Sequence, residues 1–142
     1  MTQAHKDYSG TPLWKKLGIR EETRVLLHGA PQGFPALLEP LPAGAEIVAR
    51  AARGLDVIVV FATSHAKLAG AFAKLLPSLD HAGRLWVAWP KKASKVPTDI
   101  TFEAAQAVGL AAGLVDNKSA SITDVFQGVQ FVYRLKDRPK AT

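Results

Sequence analysis

Cysteine is absent from this chain of 142 residues, which excludes disulfide scaffolds, thiolate nucleophiles and cysteine-ligated zinc. Aromatic residues make up only 8% of the sequence. The longest apolar run, 57–62, is far shorter than the roughly 20 residues that a membrane-spanning helix needs, and the polar first ten residues lack the apolar region of a secretion signal. We therefore expect a cytoplasmic location and no membrane partner.

The length favours one domain, because two separate cores would each be near the lower size limit for stability. A single domain of this size buries roughly two thirds of the surface of its unfolded chain, so it needs no structural metal. We predict one domain over residues 1–142, in which residues 1–23 form an N-terminal segment with a short helix and residues 137–142 form a basic tail.

The net charge of +6 is concentrated in two places. Lys91, Lys92 and Lys95 supply half of it, and the segment from Arg134 to Lys140 supplies the other half, so the rest of the chain is neutral. These cations are either a solvated loop and tail or a patch for a phosphate-bearing partner. No pattern of a base-reading domain is present, so any binding of nucleic acid would lack sequence specificity.

Hydrophobic patterning predicts helices and strands in alternation. In the first helix, Thr11 would be the cap, Pro12 the first helical residue and Gly18 the left-handed stop. The last strand would place Val129, Phe131, Tyr133 and Leu135 on one face. Further helices are predicted at 34–41, 64–76 and 101–112, and strands at 24–30, 45–50, 56–62, 84–89, 114–122 and 129–136.

This order predicts an α/β fold, a three-layer sandwich in which a mostly parallel sheet ends in a C-terminal antiparallel strand pair. The run from Val57 to Phe61 is β-branched and does not alternate, which is typical of a strand that is covered on both faces.

Three segments carry a family resemblance. The first strand and glycine-rich loop of class I S-adenosylmethionine-dependent methyltransferases resemble Val25-Leu26-Leu27-His28-Gly29-Ala30-Pro31-Gln32-Gly33. Their fourth strand resembles Leu55-Asp56-Val57-Ile58-Val59, and their entry to strand five resembles 79–87. The resemblance covers most of the chain and implies a methyltransferase-like fold.

The sequence departs from that family where the cofactor is held. Pro31 replaces the middle glycine, and it brings a ring and no N–H to donate. Leu27 stands where the family has an acid in strand one. Arg50 lies near the position where the family has the acid that holds the ribose. Glu46 lies too early in the sequence to take the place of that acid. The cofactor is therefore unknown, and S-adenosylmethionine is disfavoured.

A narrower resemblance has three further segments. Tyr8-Ser9-Gly10-Thr11-Pro12-Leu13, Lys16-Leu17-Gly18-Ile19 and Trp86-Val87-Ala88-Trp89-Pro90-Lys91-Lys92 are similar to a bacterial family catalogued only as a domain of unknown function. That resemblance implies no activity.

Open α/β sheets bind ligands beyond the carboxyl ends of their strands, where the strand order reverses. There a helix beginning after Ser64, together with the lysines, would suit an anion, and Trp89 could stack on a planar group. The same residues could instead fill space, cap a helix or face water. The candidate ligand-binding residues are His28, Gly29, Pro31, Gly33, Thr63, Ser64, His65, Trp89, Lys91 and Lys92.

No catalytic residue is assigned, and two histidines without a third ligand predict no metal site. We expect a degenerate methyltransferase-like domain that binds an anionic or nucleotide-like small molecule, or a protein partner, without catalysis. One alternative is an active enzyme that uses S-adenosylmethionine or another nucleotide-like cofactor in an altered pose. The other is non-specific nucleic-acid binding through the basic loop and tail.

Overall fold

The computed structural model of the protein describes residues 11–137. Residues 1–10 and 138–142 lie outside that range. Tyr8-Ser9-Gly10 of the narrower resemblance and the tail cations Arg138 and Lys140 are among them.

One mixed sheet organises the described residues, in the order β2-β1-β3-β4-β6-β5. The first four strands are parallel, while β6 is antiparallel to both β4 and β5. This arrangement confirms the predicted α/β fold with its antiparallel pair at the end. The strands are β1 (Arg24–His28), β2 (Glu46–Val48), β3 (Leu55–Phe61), β4 (Leu79–Pro90), β5 (Leu114–Ser121) and β6 (Phe126–Tyr133).

The α-helices are α1 (Leu13–Lys16), α2 (His65–Leu75) and α3 (Phe102–Ala111). Short 3₁₀ helices lie at Pro35–Leu38, Leu76–Ser78, Lys92–Ser94 and Leu135–Asp137, and the name 3₁₀ helix is kept for Pro35–Leu38. Ser64 and Thr101 cap α2 and α3, because their hydroxyls accept hydrogen bonds from the N–H groups three residues later, at 3.2 and 3.1 Å. None of the helices described between residues 11 and 137 is long and apolar enough to cross a membrane.

The sheet has a separate core on each face. Ile58 and Val60 of β3 face α2 and α3, whereas Val57 and Val59 face α1 and the 3₁₀ helix. Phe72 of α2 belongs to the first core. All four β3 side chains are at most 1% exposed, which confirms that this strand is covered on both faces.

Two indoles of β4 belong to opposite cores. Trp86 packs in the core on the α1 side, and Trp89 packs in the core on the α2 and α3 side. Their spacing of three residues requires this, since successive side chains of a strand point to opposite faces.

The N-terminal segment is fixed to the sheet through the end of α1. The Trp86 indole N–H donates to the carbonyl of Leu17 at 3.0 Å, and the Lys118 ammonium donates to the carbonyl of Lys16 at 2.9 Å. Carbonyls at a helix C-terminus have no partners within the helix, so these two side chains satisfy them. Gly18 follows with a φ of +87°, as predicted for the stop.

Three local predictions were wrong at the level of single elements. The N-cap of α1 is Pro12, without a side-chain cap bond, rather than Thr11. The predicted alternation of helices and strands fails between β2 and β3, because residues 49–54, which join them, contain no helix. The fourth strand begins at Leu79 and includes Pro90, because a bulge near residues 80–83 lets the pairing with β3 resume at Arg84.

The last strand was also misplaced by three residues. It spans Phe126–Tyr133, and its alternating face ends at Tyr133 because that residue pairs with Leu114, the first residue of β5. Leu135 lies beyond the sheet and is 78% exposed, so it does not share the face of Val129 and Phe131.

Candidate functional site

The carboxyl ends of β1, β3 and β4 meet at one edge of the sheet, and the strand order reverses between β1 and β3. The antiparallel strand β6 starts at the same edge, with Phe126 paired to Pro90. We call this the carboxyl edge. Ligand sites of open α/β sheets lie at such a reversal.

A cleft of about 440 Å³ opens where β1 and β3 end, and we call it the cationic cleft. One wall is formed by the ends of the two strands and the other by a stripe of α2. The residues that define it are His28, Gly29, Thr63, Lys67, Gly70 and Lys74. No carboxylate is among the described residues that line it.

Sequence reasoning missed the α2 wall of this cleft. Lys67, Gly70 and Lys74 recur at i, i+3 and i+7, which places them on one side of the helix. They flank the apolar stripe of Leu68, Phe72 and Leu75, from which the helix was predicted. A search for polar residues at helical spacing, applied beside the apolar one, would have found the two lysines.

Gly29 has a packing reason to be glycine. Its φ is +71°, and a Cβ at this position would lie 2.7 Å from the carbonyl oxygen of Phe61. The tight approach of β1 to β3 therefore excludes a side chain. This glycine serves the junction of the two strands.

Pro31 and Gly33 lie in a different cleft, of about 450 Å³, which we call the apolar groove. It runs between the loop after β1 and the turn that joins β5 to β6. No charged residue is among its described lining. The residues that define it are Pro31, Gly33, Phe34, Leu37, Val125 and Phe126.

Trp89, Lys91 and Lys92 lie in a third cleft, of about 580 Å³, beside the start of α3. Trp89 is only 3% exposed, so its indole is part of the core and presents no free face for stacking. The Lys91 ammonium donates to the hydroxyl of Ser121 at 2.7 Å, which directs it toward β5.

The start of α2 already holds a carboxylate. The backbone N–H of His65 donates to Asp99 Oδ1 at 2.7 Å, and the N–H of Lys67 donates to the Ser64 hydroxyl. A negative group at a helix N-terminus is favourable, and here the chain itself supplies it. The structure therefore places Ser64 and His65 in a helix cap, while His28 and Thr63 line the cationic cleft.

The positions that would hold S-adenosylmethionine do not supply its usual contacts. Leu27 is apolar, Pro31 has no N–H, and Arg50 is exposed beyond the end of β2. Glu46 is the first residue of β2, at the opposite edge of the sheet. The loop after β1 leads into a 3₁₀ helix of four residues, which offers no long helix N-terminus.

Metal ligation has no cluster to support it among residues 11–137. No three His, Asp or Glu side chains in that range come together as a metal site would require.

No protein-family model and no curated protein sequence matches the chain. The resemblance to a family of unknown function, and with it a bacterial origin, stays a prediction.

Solved structures do match, and they are similar in fold. LepI in complex with SAM is 13% identical with a TM-score of 0.56, over 94% of this chain and 50% of that one. The chain thus spans about half the length of LepI. A TehB-like SAM-dependent methyltransferase from Corynebacterium glutamicum is 13% identical with a TM-score of 0.55, over 86% of this chain and 85% of that one.

A SAM-dependent methyltransferase from Aquifex aeolicus is similar to the same degree. It is 15% identical with a TM-score of 0.54, and the match covers 84% of this chain and 86% of that one. Identities this low carry the fold and no more. The chain has the methyltransferase-like α/β fold.

Proposed function

We propose that this domain binds an anionic small molecule in the cationic cleft, without catalysing a reaction. The observation that carries the proposal is the lining of that cleft, where Lys67, Lys74 and His28 face the same space and no described carboxylate accompanies them. Like charges gathered in a concave site raise the local concentration of anions.

The expected affinity is modest, because both lysines are exposed. Unit charges about 4 Å apart attract by about 1 kcal/mol in water. Two ammonium contacts then contribute about 2 kcal/mol, which corresponds to about a 30-fold change in affinity. Lys67 and Lys74 lie seven residues apart in α2, which places their backbones about 10 Å apart along the helix axis, a span that suits two anionic groups or one extended head group.

Gly70 supports the same site. Glycine inside a helix costs about 1 kcal/mol relative to alanine, and a Cβ at Gly70 would meet no atom within 4 Å. Packing therefore gives no reason for glycine here. Because Gly70 lines the cleft, its missing side chain widens the space for a ligand.

Inorganic phosphate and pyrophosphate are suitable probes, with calorimetry as the measurement. Lys67→Ala combined with Lys74→Ala should weaken pyrophosphate binding by about 30-fold. Lys92→Ala with Lys95→Ala removes the same charge outside the cleft and should leave the affinity within about threefold. Equal losses in both double variants would overturn the proposal.

The likeness in fold to SAM-dependent methyltransferases supports an alternative, in which the domain is an active enzyme that uses S-adenosylmethionine or another nucleotide-like cofactor. Such an enzyme would have to bind its cofactor in a pose that needs neither a glycine at position 31 nor an acid after β2. Calorimetry with S-adenosylmethionine and S-adenosylhomocysteine tests it, and a Kd below about 100 μM, about 5.5 kcal/mol, would favour the enzyme over the binding module.

Non-specific nucleic-acid binding through the basic loop and tail stays a further prediction. Such binding weakens steeply as salt rises. Deletion of residues 134–142 should flatten that dependence, and an unchanged slope would reject this role for the tail. A protein partner likewise stays a prediction, and no described contact bears on it.

A further inference from the structure

The apolar groove adjoins the cationic cleft, and their linings share one residue. Phe126 lines both spaces and is half-buried. Its ring centroid lies 5.2 Å from that of Phe61, which in turn lies 4.8 Å from that of Phe34, both in edge-to-face contact. Three aromatic rings in mutual contact thus lie where the two spaces adjoin.

The backbone also connects the two spaces. Gly29 lines the cationic cleft, and Pro31, two residues later, lines the apolar groove. A ligand at the end of β1 that extends past Phe126 would therefore enter the groove directly. The volumes, about 440 and 450 Å³, are similar.

The groove presents apolar surface that residues 11–137 do not cover. Leu37 is 55% exposed at the groove, and Val125 is only half-buried. Covering such surface is favourable, at about 25 cal/mol for each Å² of apolar area. Among the described residues that line the groove, none carries a charge that would hold a polar group.

We infer that the ligand is an amphiphilic anion, whose negatively charged head lies in the cationic cleft and whose apolar chain lies in the groove. This inference rests on the proposed function, since it assigns the head group to the same cleft. The charge complementarity of the cleft and its continuity with the groove select this class over a purely polar nucleotide.

A series of alkyl phosphates tests the inference by calorimetry, below the concentration at which each forms micelles. Affinity should rise from methyl phosphate through butyl to octyl phosphate, by up to about fourfold for each buried methylene, which is the equivalent of about 0.8 kcal/mol. Methyl phosphate measures the head group alone.

Two sets of variants separate the halves of the site. Leu37→Gln should abolish most of the gain with chain length and leave methyl phosphate unaffected. Leu110→Gln is the matched control, because Leu110 is also exposed, at 44%, but lies on α3. Lys67→Ala with Lys74→Ala should lower the affinity of every member by the same factor.

The outcomes distinguish the two proposals. Binding of methyl phosphate without a gain for octyl phosphate would overturn the amphiphile and leave the proposed function standing. Failure of every phosphate to bind would overturn both. Unchanged affinity of the lysine double variant for octyl phosphate would also overturn the inference, since the chain alone would then be bound.

The same head group occurs on lipids in a membrane, so vesicles form a separate arm. Vesicles of phosphatidylcholine with phosphatidylglycerol should compete with octyl phosphate weakly or not at all. Binding to vesicles without binding of monomeric octyl phosphate would overturn the free ligand in favour of a membrane surface.

Discussion

The indole N–H of Trp86 donates to the carbonyl oxygen of Leu17 at 3.0 Å, across 69 residues of sequence. The bond is buried, and it joins the centre of the sheet to the end of α1. The Lys118 ammonium lies 5.9 Å from the centroid of the same indole, which adds a cation–π contact to the junction. A helix of four residues is not stable by itself, so α1 depends on this attachment.

Trp86→Phe should lower the free energy of unfolding by about 2 to 4 kcal/mol, because it leaves a cavity and a carbonyl without its donor. Urea denaturation measures the loss. Trp14→Phe is the control, since Trp14 is only half-buried and should cost less. A loss no greater than that of the control would show that the bond contributes little.

Gly109→Ala should destabilise the protein by about 1 to 3 kcal/mol through overpacking. An added Cβ at this position would collide with the ring of Phe131, where α3 rests on β6. Thermal or urea unfolding would register the change. If the variant were as stable as the wild type, α3 would have room to move away from the sheet.

Gly70→Ala should act in opposite directions on stability and on binding. The added methyl meets no neighbour, so the helix should gain about 0.5 to 1 kcal/mol. The same methyl narrows the cationic cleft and should weaken pyrophosphate binding. A stabilised variant with undiminished affinity would remove Gly70 from the site and confine the ligand to the strand ends.

Tyr133 should ionise at unusually high pH, because burial raises its pKa above the ordinary value of 10.0. The folded state favours the neutral phenol, so this contribution to stability is present below about pH 10 and is lost as pH rises through the folded pKa. The chain has two tyrosines. Tyrosinate absorbance of the wild type, minus that of Tyr133→Phe, isolates Tyr133, and a transition at or below pH 10 would contradict the prediction.

Much of the sheet followed from the local sequence. The buried run of β3, the cap Ser64 and the start of α3 were predicted at or within one residue of their place. Such features depend on neighbours along the chain. The bounds of β6 depend instead on where β5 begins, because an alternating pattern continues past the last paired residue.

The candidate site was less predictable for a related reason. Which space a residue at the carboxyl edge faces depends on the pairing register and on the loops packed above it. His28 and Thr63 came together as neighbouring strand ends do, but Pro31 and Lys91 face other clefts. Asp99 is distant in sequence from α2, so nothing local indicates that it occupies the helix N-terminus.

The placement of the indoles on opposite faces of β4 has a spectroscopic consequence. Trp89 packs in the layer built by α2 and α3, and Trp86 packs in the layer built by α1 and the 3₁₀ helix, so we expect the emission of each indole to report on its own layer. With Trp14 replaced, variants that keep only one of the two indoles would follow the opening of each layer separately. β4 thus contains one intrinsic fluorophore for each face of the sheet. An unfolding intermediate that loses one layer first would be detected without any added label.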